Sequence, residues 1–401
     1  VEFFGYNGQG SKVGGKGGIT GKSGGQNKKS NTTFSVFVAM GICVGPISFW
    51  GAQYGGNGNN RIWANAGISY NGPGGVGLNY NQGYDGQYLD SSFIAQSPNS
   101  PYINYSGVAY MTGAPMFLGN SPAVPNISFE ITGFFAGTGG PNYPDDARPD
   151  HALTGILTDP RWGAGFPSEA LDAASVADWG NFCQAANIAI SMIIDRSQPA
   201  ARLVEELCTL TTSAAVFTSG VLKIIPYEPG GPWTSNGTSW TPDVAPKYYL
   251  SDNEFLDWGG TTDPVVITRK DRSQAKNWIQ IEYLDRGNSY NTNINFAFDQ
   301  AAIDTYGLRT AAVSEGHSIC NAYVSYWVPY HQLKREQLID ATVKFKVGWK
   351  FALLDPMDVV ALTDPGAGMN NTSVRIISIE EDDEGALVIT AENLPYYGSA
   401  I

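Results

Sequence analysis

Residues 341–394 break into short segments rich in β-branched and aromatic residues: ATVKFKVGW, DVVALT, VRIISIEE and ALVITAE. Each is shorter than an ordinary helix and fenced by turn residues, so this part of the chain reads as sheet. DDEG joins the last two as an acidic turn. The same texture occurs in TFSVFVAMGICVGPISFW, RIWANAGISY, ISFEITGFF and NWIQIEYLDR. Only 15% of residues are charged, against about 25% in ordinary domains, and there are 48 glycines and 21 tyrosines. That balance suits many short strands on tight turns better than long surface helices.

Helical periodicity is concentrated in the middle. DHALTGILTD offers Asp150 as an N-cap, with Leu153, Ile156 and Leu157 on one face. DAASVADWGNFCQAANIAI repeats Val176, Trp179, Cys183 and Ala186 at three- and four-residue steps. A third helix from Ser197 carries Leu203, Leu207, Leu210 and Ala214, and AVFTSGVLKIIPY reads as a hairpin turning at Ser219-Gly220. Further on, DQAAIDTYG predicts a short helix. The stretch around SICNAYVSYW predicts a longer one that Pro329 must interrupt or kink. Residues 71–125 and 228–246 read as turn-rich connections. The expected modules are a Gly/Lys-rich arm (1–33), a β-rich domain (34–140), an α+β module (141–227), a mixed module (228–340) and a C-terminal β-barrel-like module (341–401).

Residues suited to chemistry are sparse. The histidines are His151, His317 and His331, and none has a Cys or His neighbour at metal-ligand spacing. The carboxylates Glu380, Glu381, Asp382, Asp383 and Glu384 are dense but fall on a solvated hairpin tip. Asp145, Asp146 and Asp150 are a weaker candidate for glycosidase carboxylates or a calcium site. Cys43, Cys183, Cys208 and Cys320 lack paired spacing and read as buried free thiols. No catalytic residue, cofactor or metal is expected.

The arm holds Lys12, Lys16, Lys22, Lys28 and Lys29 among glycines. GKGGITGKS within it ends like a phosphate-binding loop, but Lys16 stands where that motif needs glycine and no strand pattern precedes it. Elsewhere the chain is acidic, with a net charge of −13. That charge argues against bound nucleic acid or an anionic membrane as partner, and no apolar run has the length of a membrane span.

Several stretches occur in a telling order: SFWGAQ and IWANAG, YDGQYLD, YSGVAYM, LGNSPAVPNISFEITG, LTDPRWGAGFP, LVEELCTLTTSAAVFTSGVLKIIPY, TRKDRSQAKNWIQIEYLDRGNSYN, AAIDTYGLR and LLDPMDVVALTD. From about residue 34 to 395 the chain resembles the phage-tail protein family of siphophages and gene transfer agents, the tail-tip hub that is also similar to the host-specificity protein of lambda. The resemblance implies a mainly β protein with α+β modules and β-barrel-like hub domains. It implies a homotrimer at the distal end of the tail, assembled in the host cytoplasm and carried in the virion. Its partners would be the distal tail protein, the tape measure protein and other tip proteins. Genomic DNA would pass through without specific binding, and the chain itself would not insert in a membrane. Longer relatives carry receptor-binding or hydrolase regions; no such extension is seen here, so those activities are not carried over.

In this frame DPRWGAGFP reads as a rigid corner between two helices. Pro160 stops the first helix, Gly163 and Gly165 allow the reversal, Trp162 packs beneath, and Arg161 is counted with the same corner. A substantial share of the excess carboxylates is expected to face the DNA channel, where they repel phosphate, and the lysine arm to dock on an acidic neighbour. The alternative is a receptor- or glycan-binding protein using the Tyr- and Trp-rich loops of 71–125 and 228–246.

Overall fold

The computed structural model describes residues 34–47, 62–64, 67–69, 78–91, 95, 103–119, 123–259 and 263–394. The arm lysines Lys12, Lys16, Lys22, Lys28 and Lys29 lie outside them. The chain divides into two compact units, 1–136 and 137–401.

In the first unit, β1 (Phe34–Val44) pairs antiparallel with β5 (Val108–Gly119), which also pairs with β4 (Leu78–Asn81). β2 (Ile62–Ala64) lies between β3 (Gly67–Ser69) and β6 (Ile127–Phe129). Val36, Met40 and Met111 form the buried centre, with Tyr80, Ile127 and Phe129 packed against it. The expected excursion over 71–125 therefore contains the central strand of a sheet. Gly113 and Pro115 break the β pattern of its sequence, and pairing on both sides overrides that weak local preference.

The second unit opens with three helices, α1 (Pro149–Thr158), α2 (Ala173–Ala185) and α3 (Ala200–Leu210). Leu153, Ile156 and Leu157 are buried as the periodicity requires. The N-cap of α1 is Arg148, however, and Asp150 lies inside the first turn, because Pro149 takes the first helical position, where its missing N–H costs nothing. α3 ends at Leu210 because Thr212 turns left-handed at φ 49°, so Ala214 falls on a strand. That strand, β7 (Ser213–Thr218), forms a hairpin with β8 (Val221–Pro226). Its turn is Ser219-Gly220, at φ 51° and 81°.

A second hairpin, β9 (Trp233–Ser235) with β10 (Thr238–Trp240), lies in the segment expected to be a plain connection. Asn236-Gly237 at its tip is a strong hairpin signal. The side chain of Asn236 accepts from the amide of Asn142 at 2.7 Å and donates to the carbonyl of Gly139.

Next come β11 (Tyr248–Ser251), β12 (Val265–Arg269), β13 (Trp278–Asp285), β14 (Asn291–Phe298), α4 (Gln300–Tyr306), β15 (Ser314–Glu315) and α5 (Val324–Leu338). α5 starts later than expected and runs through Pro329. The proline removes one backbone donor, but burial of Val324, Val328, His331 and Leu333 holds the helix on both sides of it. β16 (Ala341–Val347), β17 (Val359–Asp364), β18 (Met369–Glu381) and β19 (Leu387–Asn393) complete the chain.

Two sheets organise this unit. β13 lies between β14 and β15, and a six-stranded sheet runs β11-β17-β18-β19-β16-β12. In the larger sheet only β11 and β17 are parallel. Val343, Phe345, Leu362, Ile376 and Ile389 form its core. Burial at Val343, Phe345 and Val347 with exposure at Lys344 follows the two-residue side-chain period. The fold is mainly β with an α+β part; the large sheet is open, ending on the edge strands β11 and β12 rather than closing as a barrel.

Candidate functional site

The corner after α1 is held by main chain. Asp159 Oδ1 accepts from the amides of Arg161 (2.7 Å) and Trp162 (3.3 Å), which holds the Asp159 carboxyl below its usual range. The amides of Gly163, Ala164 and Phe166 then return to the carbonyls of Asp159, Ile156 and Leu157 at 2.7–3.0 Å. A Cβ on Gly163 would lie 2.7 Å from three carbonyl oxygens, those of Asp159, Gly155 and Ile156. Pro160 and Arg161 are exposed, Trp162 is half-buried, and Gly165 sits at φ 63°. Arg161 reaches Asp159 across 3.6 Å at the surface.

The candidate carboxylates are distributed into structural contacts. Asp150 takes two hydrogen bonds from Arg148, at 2.9 and 2.8 Å. Asp146 is buried and bonded to the buried Arg286 at 2.5 Å, and Ser191 and Asn321 add donors to it. Burial alone disfavours the Arg286 charge, but the Asp146 carboxylate more than compensates and raises its pKa. This contact ties the start of the helical region to the turn after β13. At the β18–β19 tip, Glu380, Glu381, Asp383 and Glu384 are exposed. Asp382 bonds Lys346 at 2.6 Å, which lowers the carboxyl pKa.

The histidines are not grouped. His151 and His317 are exposed, and His317 bonds Glu282 at 2.8 Å. His331 is fully buried on α5. Its Nε2 donates to the carbonyl of Ala186 at 3.0 Å, and its Nδ1 faces the buried Glu228 at 3.5 Å. The rings of Phe182, Trp233, Trp327 and Tyr330 surround it. The spacing of the histidines carries no signal for this cluster, because Ala186, Glu228 and His331 come together only through tertiary folding. Among the described residues, no group of three or more His, Cys, Asp or Glu could hold a metal ion, and no helix is long and apolar enough to cross a membrane. All four cysteines are free, with Cys183, Cys208 and Cys320 buried. The sheet contacts are equally specific: Arg335 donates to Glu392 through both terminal guanidinium nitrogens, Nη1 and Nη2, and stacks on Tyr227.

The aromatic loop 228–246 is largely folded inward. Trp240 is buried and donates to Asp178 at 3.1 Å, while Trp233 packs edge-on against His331. Large apolar side chains are instead exposed on strands and turns, among them Phe217, Tyr249, Trp349 and Leu353.

Residues 199–379, from the start of α3 into β18, match the model of the family described as "Putative phage tail protein". This segment belongs to the phage tail protein family. A chain from the virion of a native gene transfer agent particle shares the fold, with a TM-score of 0.56 and 18% identity, covering 92% of this chain and 80% of that one. Prophage tail protein gp18 from Listeria monocytogenes EGD-e aligns at TM-score 0.28 and 14% identity, over 51% of this chain and 56% of that one. The 43 kDa tail protein of prophage MuSo2 from Shewanella oneidensis aligns at TM-score 0.36 and 11% identity, over 84% and 99%. No curated protein matches. The matched segment contains Arg286, His331 and Arg335, while their partners Asp146, Ala186 and Glu392 lie outside it, so these contacts tie the matched segment to the chain on either side.

Proposed function

We propose that the chain is a structural tail-tip hub, three copies of which form a ring at the distal end of the tail tube. The ring links the tube to the distal tail protein, the tape measure protein and the tip or fibre proteins, and lines or closes the DNA exit channel. It makes and breaks no covalent bond. The observation that carries this reading is the shared fold with a gene transfer agent virion chain across 92% of the sequence, together with the family match over 199–379.

The physical setting is consistent with that role. Rigid joints such as Arg286–Asp146 and Arg335–Glu392 fix the modules, leaving exposed apolar side chains for neighbours. The net charge of −13 keeps phosphate from binding as DNA passes. The corner of Pro160, Arg161, Trp162, Gly163 and Gly165 serves as scaffold in this reading. Host attachment and DNA ejection would follow from the ring's position between tube and tip.

The test is to identify the chain by mass spectrometry in purified particles and isolated tails, alongside its mass in solution. Presence in tails, with a trimer in solution or on the particle, supports the proposal. Absence from particles, or a stable monomer that binds glycans, contradicts it.

A further inference from the structure

His331 lies fully buried where α5 meets the end of α2, and Glu228, just past β8, is fully buried beside it. The Nε2 of His331 contacts the carbonyl of Ala186 at 3.0 Å. A carbonyl oxygen only accepts, so Nε2 carries a hydrogen. The other ring nitrogen, Nδ1, faces Glu228 Oε1 at 3.5 Å. Without a further proton these are two acceptors, one of them a buried negative charge.

Among the described residues, no hydrogen-bond donor reaches either oxygen of that carboxylate. A Cβ at Gly230 would lie 2.8 Å from Oε1 and 3.1 Å from the Trp233 ring, so the carboxylate is packed closely against the main chain. The rings of Phe182, Trp233, Trp327 and Tyr330 close round the imidazole. The charged and titratable groups on the surrounding elements have other contacts. On α5, Lys334 lies over the rings of Trp233 and Tyr330, and Arg335 is bonded to Glu392. On α2, Asp178 accepts from Trp240, and Cys183 is buried. On β18, Arg375 donates to the carbonyl of Pro226 at 3.2 Å.

We propose that the folded chain holds one proton between His331 and Glu228, and that the joint between α5 and the end of α2 depends on it. The count is the same whether the proton sits on the imidazole or on the carboxyl. An ion pair and a neutral pair both satisfy the two buried groups, whereas a bare carboxylate facing a lone pair satisfies neither.

In an unfolded chain a histidine gives up its proton near about pH 6.5 and a glutamate near about pH 4.3. Above about pH 6.5 the folded chain therefore binds one proton more than the unfolded chain at this pair, and the joint weakens as pH rises. Between those two values both states bind one proton, and its contribution is complete. The device belongs to the fold and holds whether or not the chain assembles as a ring.

Denaturant unfolding of the full chain at pH 6, 7 and 8 tests the proposal, with Glu228→Gln as the comparison. In that variant the amide donates to Nδ1 of a neutral imidazole, so the folded joint needs no extra proton. The unfolded histidine is common to both chains and cancels. The ratio of the wild-type unfolding constant to that of the variant is expected to rise about tenfold per pH unit, or about a hundredfold over the range. A rise below about threefold over the same range overturns the proposal. Nitrogen-15 NMR gives a reading that does not depend on the Glu228 variant. With His151→Gln and His317→Gln, both at exposed positions, His331 is the one histidine left. A protonated or hydrogen-bonded Nδ1 is expected at pH 7, and a bare lone pair there overturns the proposal.

Discussion

Arg286 Nη2 lies 2.5 Å from Asp146 Oδ1 with both side chains buried, and Ser191 bridges the pair. Removing one partner leaves an uncompensated buried charge, which costs more than the intact pair contributes. Asp146→Ala should therefore lower stability by about 3–5 kcal/mol. Asp146→Ala with Arg286→Met should recover a large part of that loss. Denaturant unfolding followed by tryptophan fluorescence checks both, and a change below about 0.5 kcal/mol for the single variant would show that the pair does not hold the fold together.

Gly163 and Arg161 separate a scaffold corner from a binding loop. A Cβ at Gly163 meets three carbonyl oxygens at 2.7 Å, so Gly163→Ala should destabilise the protein by about 1–3 kcal/mol. Arg161 is exposed and pairs at the surface with Asp159 at 3.6 Å. Arg161→Ala should change stability by less than about 0.5 kcal/mol and leave particle infectivity or transfer intact. Loss of particle function with unchanged stability would instead make this a binding loop.

The turn at Ser219-Gly220 was readable because the left-handed conformation of both residues has a chemical signature. The apolar stripes of α1 and α2 were readable for a similar reason, since their buried faces follow helical spacing. β5 was not, because Gly113 and Pro115 hide a strand whose identity comes from pairing with β1 and β4. The Asn236-Gly237 turn carried its own signal, masked by the Pro/Gly/Trp content around it. The candidate site was less legible than the fold. Asp146 could be listed as a carboxylate, but its partner Arg286 is 140 residues away, a distance that local pattern does not cross.

His331 is a second joint. It donates to the carbonyl of Ala186 and faces Glu228 across 3.5 Å, with both side chains buried. His331→Leu removes the donor and leaves the carboxylate without its neighbour, for an expected loss of about 2–4 kcal/mol. Combining it with Glu228→Gln should restore at least half of that loss. Strict additivity in the double-mutant cycle would show that the two groups do not interact.

Burial also sets the response to alkali. It raises Cys208 from 9.0 to about 12 and Cys320 from 9.0 to about 11. Both thiols stay protonated in the folded chain above the pH at which they ionise when unfolded. Their stabilising contribution is complete below pH 9 and is lost progressively towards pH 12. Cys208→Ala should flatten the fall in stability over that window. Native alkylation at pH 8 should modify Cys43, which is only partly buried, well before the other three, and rapid labelling of all four would contradict this burial.

The proposed ring is tested most directly by cryo-electron microscopy of the tail tip on intact particles. The expected map holds three copies of residues 137–394 around the channel at the distal end of the tube, with carboxylates facing the lumen. A map with this chain absent from the tip, present in another copy number, or surrounding a basic lumen would contradict the account.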